Sequence, residues 1–516
     1  MPQKGANKWI ITITVILASM IELIDTSIVN VALPQMMGNL GATLEQIAWV
    51  VTGYVVANVI VIPMTGWFAA KFGRRNYFVG SLVLFTVASF FCGHANGLWE
   101  MVIFRFLQGA GGGAMLSTSQ AILVETFPKE ELGLANALFG LGVVVGPTVG
   151  PTLGGWITDS YSWRWIFYVN LPIGIVAILM AMAFIPESKD VRKIGSVDWA
   201  GIALLILGVG SLQIVLERGE SEDWFSARYI TILTGIALVA IAGFIWRELT
   251  TEHPVVDLRV LRDRSLAVGT VFTFILGFGL YASVFILPVF AQNLLGFTAM
   301  QTGLILLPGS LATAFMMPIV GKMLQRGVPP QLMNALGFLC FFGFTYVLSH
   351  STLSSDRQDF FWPLILRGVG LGLLFVPLTT MALSGLRGKD IPQGAGLTNM
   401  MRQLGGSFGI ALITTYIQKR SWTHRVDLLS HVSIYDAAVR ERLAAITGGF
   451  IANGSDPYHA GQQAYGALEG AVVKQTFLLT YMDAFRIVGI FFLCCIPLLL
   501  VFKRGRGGAG GPVSMH

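Results

Sequence analysis

The chain has 516 residues, 54% of them hydrophobic and only 12% charged, with a net charge of +6 and a mean hydropathy of +0.69. Soluble domains carry about 25% charged residues, so a single water-soluble core is excluded and a polytopic helical membrane protein is implied. The positive balance fits anionic lipid headgroups and gives no nucleic-acid footprint.

Stretches of near twenty residues with few charges predict fourteen spans, at 9–34, 47–70, 77–95, 98–121, 132–157, 164–185, 198–217, 228–247, 266–292, 300–323, 331–350, 360–385, 394–418 and 482–502. The first follows only Lys4 and Lys8 and has no small-residue cleavage site, so it reads as a retained helix and not a signal segment. It carries Glu22 and Asp25, three apart and therefore on one helical face, where mutual repulsion and low polarity favour a proton on at least one carboxyl. After the second span comes a tight basic loop, Gly66-Trp-Phe-Ala-Ala70-Lys71-Phe-Gly73-Arg74-Arg75. The fourth span holds Arg105, which with Glu22 and Asp25 completes the leading set of intramembrane charges. Such charges cost from about 3 to more than 10 kcal/mol unless paired or hydrated, which makes them functional candidates. Asp25 and Arg105 also read as a purely structural pair, and both readings stand.

The fifth span contains a ladder of Gly142, Gly146, Pro147, Gly150, Pro151 and Gly154. Bare positions every fourth residue admit another helix against that face and the prolines bend it, so the ladder is expected to act as a moving gate, with static packing as the bland alternative. Near the other end, residues 419–481 carry charge, a turn at Asn453-Gly-Ser455-Asp456-Pro457, and helical patterns at 433–447 and 459–478. That segment is too patterned for a simple linker.

Lys and Arg gather on one face: Lys4, Lys8, Lys71, Arg74, Arg75, Lys129, Lys189, Arg192, Lys193, Arg247, Arg259, Arg262, Arg264, Lys322, Arg326, Arg387, Lys389, Lys503, Arg504 and Arg506. The positive-inside rule then places both termini in the cytoplasm, and 419–481 outside, long enough to translocate regardless of charge. The four cysteines lie in apolar spans without a Cys-x-x-Cys pair, and the seven histidines lack ligand spacing, so no metal is expected. No phosphate-binding loop is present, which argues against ATP hydrolysis, and no Ser/His/Asp set supports an enzyme.

An internal repeat organises the helices. Gly133-Leu-Ala-Asn136-Ala-Leu-Phe-Gly-Leu141-Gly142-Val-Val-Val-Gly146 aligns on Gly396-Leu-Thr-Asn399-Met-Met-Arg-Gln-Leu404-Gly405-Gly-Ser-Phe-Gly409 without gaps. Two echoes accompany it: Arg105 before Gly109 and Gly111 matches Arg367 before Gly370 and Gly372, and Pro63-Met-Thr-Gly66 matches Pro318-Ile-Val-Gly321. The plan is six helices in 1–190, two inserted helices in 191–255, and six more in 256–516, with two halves able to rock about a midplane site. A cavity between them needs adaptable apolar surface with a few polar handles. Asn30, Gln108, Met115, Phe139, Phe278, Tyr281, Met316, Phe375, Asn399 and Met400 are candidates, with Arg402 and Gln403 as a polar wall where the second copy lacks the Gly-Pro kink. The bland reading of these Met and Phe side chains is lipid or interhelical packing.

Several of these motifs together resemble the major facilitator superfamily, its fourteen-helix drug:proton antiporter family, and EmrB-type multidrug exporters in particular. Leu23-Ile-Asp25-Thr-Ser-Ile-Val-Asn30-Val-Ala-Leu-Pro34 is similar to the family's first-helix signature, Arg105-Phe-Leu-Gln108-Gly109 to its fourth-helix motif, the Gly/Pro ladder to its antiporter motif, and Trp163-Arg164-Trp165-Ile-Phe-Tyr-Val-Asn170-Leu-Pro172 to the start of its sixth helix. The resemblance implies an all-α major facilitator fold that exports hydrophobic or amphipathic toxic compounds against protons by alternating access. It implies no cofactor beyond the proton gradient, an inner-membrane location, and work with a periplasmic adaptor and an outer-membrane channel. On this reading Asp25 carries the proton, Glu22 tunes it or meets cationic drugs, and Arg105 competes with the proton. One position departs: Ala70 stands where the family's loop has an acid, so any closure there must use another partner. The alternatives are an uptake symporter and a non-transporting membrane receptor or lipid-modifying enzyme; the Gly/Pro ladder disfavours the symporter.

Overall fold

A computed structural model describes residues 5–128, 131–187, 197–386 and 390–501. Lys4, Lys129, Lys189, Arg192, Lys193, Arg387, Lys389, Lys503, Arg504, Arg506 and the 190/191 boundary lie outside the described residues.

Seventeen α-helices run through the described chain: α1 Gly5–Leu40, α2 Leu44–Ile47, α3 Trp49–Phe72, α4 Arg74–His94, α5 Leu98–Thr126, α6 Leu132–Ser160, α7 Trp165–Tyr168, α8 Asn170–Phe184, α9 Trp199–Arg218, α10 Arg228–Thr250, α11 Arg264–Asn293, α12 Ala299–Gln325, α13 Pro330–Leu348, α14 Phe361–Ser384, α15 Asp390–Ser430, α16 Ala437–Ala452 and α17 Pro457–Cys495. Their ends follow from local chemistry. Thr43 opens α2 and Thr298 opens α12, each as a capping box with a Gln three residues on. Gly73, at φ 81°, makes the left-handed break between α3 and α4 that a side chain resists. Arg164 donates to the carbonyls of Gly93 (2.9 Å) and Ala95 (2.7 Å), satisfying acceptors at the end of α4.

Every predicted span falls on a helix. Eleven helical stretches among the described residues are long and apolar enough to cross a bilayer. The predicted spans absent from that set lie on α5, α6 and α15, which are 29, 29 and 41 residues long. All three carry glycine contacts and buried polar groups of the bundle interior, where the neighbours are protein and not lipid. The predicted span 164–185 is divided into α7 and α8, joined at Val169.

Helix pairing repeats. In the first group α1 lies on α6, α3 on α5, α4 on α5 and on α8; in the second, α11 lies on α15, α12 on α14, α13 on α14 and on α17. Each of these contacts has its image in the other group. The groups meet along α6 against α12 and α3 against α15, again a matched pair. The helices α9 and α10 pack on each other, and α9 bridges the seam by touching α3 and α15. There Gln213 donates to Ser407 at 2.7 Å, while the indole of Trp224, beyond the end of α9, donates to Thr415 at 2.9 Å.

Beyond the expected spans, α15 and α17 continue as unbroken helices and α16 packs on α17. The sequence pattern at 459–478 is thus part of the same helix as the last span. Polar contacts lock the extensions side by side: Arg420 pairs with Asp483 at 2.8 Å and Arg425 with Glu469 at 2.5 Å, and the His424 ring hydrogen-bonds Asp483 at 2.9 Å.

Candidate functional site

The densest polar cluster lies inside the first helix group. Asp25 of α1 is fully buried and accepts three hydrogen bonds, from Arg105 Nη1 (2.6 Å), Gln108 Nε2 (2.9 Å) and Asn170 Nδ2 (2.8 Å). Arg105 also donates to Gln108 Oε1 at 2.7 Å, and its guanidinium lies 4.1 Å over the Tyr54 ring. Ser89 of α4 accepts from both Gln108 and Asn170 at 3.1 Å and donates to the Phe167 carbonyl at 2.9 Å. The network ties α1, α4, α5 and α8 together. A buried charge tolerates such a place only when paired and fully bonded, and here it is.

Glu22 is equally buried, at 3% exposure, but bonded differently. Asn58 Nδ2 donates to its Oε1 at 2.9 Å, while Oε2 has no hydrogen-bond partner, nor does the nearby Tyr54 hydroxyl. Gly112 makes room: a Cβ there would lie 2.6 Å from that hydroxyl and 3.0 Å from Glu22 Cγ. A proton added at Oε2 of Glu22 breaks no hydrogen bond, whereas one added to Asp25 cancels the charge that pairs with the Arg105 guanidinium. The two carboxyls, three residues apart, therefore have unequal chemistry.

Across the seam, Arg402 of α15 is 98% buried, with its guanidinium 5.6 Å over the Phe375 ring and within electrostatic reach of Glu22 and Tyr281. Tyr281 donates to Gln403 Oε1 at 3.1 Å. Phe139 and Phe375 meet with ring centroids 6.3 Å apart, Phe375 lying against Gly140. Asn399 donates to Gln120 of α5 at 2.8 Å. Gln108 belongs to the Asp25 network, Met115 is buried in the core, and Met400 is half-buried beside it. Three candidates fall elsewhere: Asn30 is exposed, Phe278 packs against Phe491 of α17 with ring centroids 4.6 Å apart, and Met316 backs onto Gly372.

The Gly/Pro ladder of α6 meets α1 of its own group. Added Cβ atoms would lie 3.4 Å from Met20 at Gly142, 2.7 Å from Leu23 at Gly146 and 2.7 Å from Ile28 at Gly154, and at Gly150 would strike the Ser27 hydroxyl. Pro147 and Pro151 sit inside the same helix without ending it. The opposite face of α6 is the one that touches α12. In the basic loop, Arg74 pairs with Glu125 of α5, Arg75 donates to the Met182 carbonyl, and a Cβ on Gly66 would lie 2.6 Å from the Gln393 side chain.

Sequence reading missed Asn58, Tyr54, Gly112, Ser89 and the role of Asn170. A buried Asn amid the apolar residues 55–62 was the available signal for Asn58. Arg367, the repeat counterpart of Arg105, is buried with two guanidinium nitrogens unbonded and lies 6.0 Å over Phe344, so the second group repeats the cation without the carboxylate. Among the described residues no cluster of His, Cys, Asp and Glu could hold a metal ion.

The sequence profile of the Major Facilitator Superfamily matches residues 15–410. Over 511 residues the chain is 33% identical to the fatty acid resistance protein FarB of Neisseria gonorrhoeae, covering 99% of each chain. It is also 33% identical to the multidrug export protein EmrB of Escherichia coli K12 over 518 residues, covering 100% of this chain and 99% of that one. The crystal structure of the human organic anion transporter MFSD10 aligns with a TM-score of 0.61 at 13% identity, over 96% of this chain and 100% of that one.

Proposed function

This chain belongs to the major facilitator superfamily, and we propose that within it the protein is a proton-coupled exporter of amphipathic toxic compounds, of the multidrug type. Full-length similarity to a multidrug exporter and a fatty-acid resistance protein supports that substrate range. The observation that carries the mechanism is the buried network around Asp25, an acid and a fixed cation held together beside a second, incompletely bonded acid.

Fourteen helices cross the bacterial inner membrane, with both termini in the cytoplasm and the α15–α16–α17 extension outside. Residues 1–190 and 256–516 form two bundles that rock about a midplane cavity, with 191–255 as an inserted pair. An incoming proton can bind Glu22 without breaking a hydrogen bond, because Oε2 has no partner. Transfer to Asp25 removes the charge that holds Arg105, so proton loading is linked to a shift of α5 against α1. Drug and proton then compete for the same change of state. Phe139, Phe375, Tyr281, Gln403 and Arg402 line the drug path, and the ladder of α6 lets α1 slide at close quarters. One proton moving down 100 mV supplies about 2.3 kcal/mol, enough for a drug gradient of tenfold or more. No cofactor is required. The extension is the docking surface for a periplasmic adaptor leading to an outer-membrane channel.

The test is drug-induced proton movement in proteoliposomes. Addition of ethidium, or of an uncoupler-type weak acid, should release protons from wild type and not from Asp25→Asn, with drug binding retained in the variant. Coupled transport preserved in Asp25→Asn would overturn the assignment of the proton carrier.

A further inference from the structure

The two copies of Gly-Leu-x-Asn, at 133–136 near the start of α6 and 396–399 early in α15, lie at one end of the bundle on opposite sides of the seam. Asn136 Nδ2 donates to Thr380 Oγ1 of α14 at 3.1 Å; Asn399 Nδ2 donates to Gln120 Oε1 of α5 at 2.8 Å. Since α14 is the repeat counterpart of α5, each bond is the image of the other. Both asparagines are at least 98% buried.

The glycine three residues earlier repeats as well. A Cβ on Gly133 would lie 3.1 Å from the Gly321 carbonyl oxygen of α12, and one on Gly321 would lie 2.9 Å from that of Gly133. A Cβ on Gly396 would lie 3.0 Å from the Ile62 carbonyl oxygen of α3, and Gly66, the match of Gly321, faces Gln393 of α15. Bare backbone at these glycines lets α6 lie against α12 and α15 against α3, one turn from each bond. One turn of helix thus supplies both the close approach and the bond, twice.

We infer that Gly-Leu-x-Asn is a paired latch, and that Asn136 and Asn399 are positioning residues which hold this end of the transport path shut. The inference rests on the alternating-access reading above and adds the groups that set its balance. Two neutral bonds suit the task. Each contributes a modest net free energy, because water entering on opening satisfies the separated amides. A buried ion pair in their place would carry a larger desolvation cost in the shut state. Asn399 Oδ1 and Gln120 Nε2 are left without partners, so the second bond has spare donor and acceptor capacity through which this side of the seam can re-pair as the halves move.

The test uses the full chain with single reporter cysteines, each compared with the parent lacking the reporter. Ala395→Cys reports on the latched end, where Ala395 is fully buried, and Thr152→Cys on the other end, where Gly303 of α12 faces it. Labelling by a water-soluble maleimide in detergent requires neither drug nor proton gradient, so failure of the transport assay leaves this result readable. Asn136→Ala and Asn399→Ala should each speed labelling at 395 about fivefold and slow it at 152, as expected when one net hydrogen bond is removed from a two-state equilibrium. Asn136→Ala with Asn399→Ala should multiply to about 25-fold, whereas Gln120→Ala with Asn399→Ala should not exceed either alone. Thr380→Val and Gln120→Leu provide milder versions should the alanine variants not elute as folded protein. Unchanged labelling at 395 in folded variants, or faster labelling at both ends, would overturn the latch, the latter showing general loosening.

Discussion

Removing the carboxylate of Asp25 should be more harmful than removing its cationic partner. In Asp25→Asn, Arg105 stays charged, because a guanidinium does not deprotonate in proteins, and it remains 99% buried with its ion pair gone. Breaking one side of a buried pair costs about 3–5 kcal/mol. In Arg105→Met, Asp25 still accepts from Gln108 and Asn170 and can take a proton, so the loss should be nearer 1–3 kcal/mol. The double variant Asp25→Asn with Arg105→Met leaves no net charge and should be more stable than Asp25→Asn alone by about 2 kcal/mol, a negative interaction that simple packing loss does not give. The assay is reversible unfolding in mixed micelles for wild type, both single variants and the double. A double variant that is less stable than wild type by the sum of the two single losses, and so less stable than Asp25→Asn, would refute the electrostatic account of this network.

Further outcomes follow from the same geometry. Glu22→Gln keeps an acceptor for Asn58, so folding should change by under about 1 kcal/mol while export of lipophilic cations falls at least about tenfold in growth assays with toxic cations; unchanged resistance would remove Glu22 from the drug and proton path. Gly150→Ala places a methyl against Ser27 and within 3.1 Å of the Ile24 carbonyl oxygen, which should destabilise by about 1–3 kcal/mol, whereas Gly155→Ala, whose nearest neighbour is at 3.9 Å, should be close to neutral in thermal unfolding. Asp456 caps α17, and hydrogen bonds from the His459 side chain and backbone hold its carboxyl below the usual range. A lowered carboxyl stabilises when ionised, so this cap should be present at neutral pH and lost as pH falls through the carboxylate range. Amide exchange at 458–460 should quicken there, and Asp456→Ala should remove the pH dependence.

The helical scaffold was legible because hydropathy alone marks bilayer-length segments, and the repeat located by the glycines and Asn136/Asn399 matches the paired helix contacts. Arg105 and Asp25 stood out as charges in apolar surroundings, and they do bond to each other. The partners that complete the network, Ser89 and Asn170, are small and neutral, common enough in membrane helices to raise no flag. Glu22 was placed with Asp25 by spacing, yet its bond is to Asn58 on another helix, a contact between residues 36 apart that no local period encodes. The glycine ladder announced a close approach without naming its partner, since a bare face fits any smooth helix; Leu23, Ser27 and Ile28 of α1 fill it. At the basic loop, Ala70 removes the acid that the resemblance led one to expect, and Arg74 turns instead to Glu125, more than fifty residues away in the chain.

The unbroken course of α15 gives the molecule a pointer. Forty-one residues in one helix span about 60 Å, from Asp390, just before the latched asparagine, to Ser430 at its far tip. Pivoted at one end, such a rod carries its tip through about 1 Å for each degree of tilt. Because Arg420, His424 and Arg425 bind the rod to α17, the hairpin moves as one piece. Anything resting on that hairpin would read the state of the transport path mechanically, with no ligand of its own, as a dial reads the turn of a shaft.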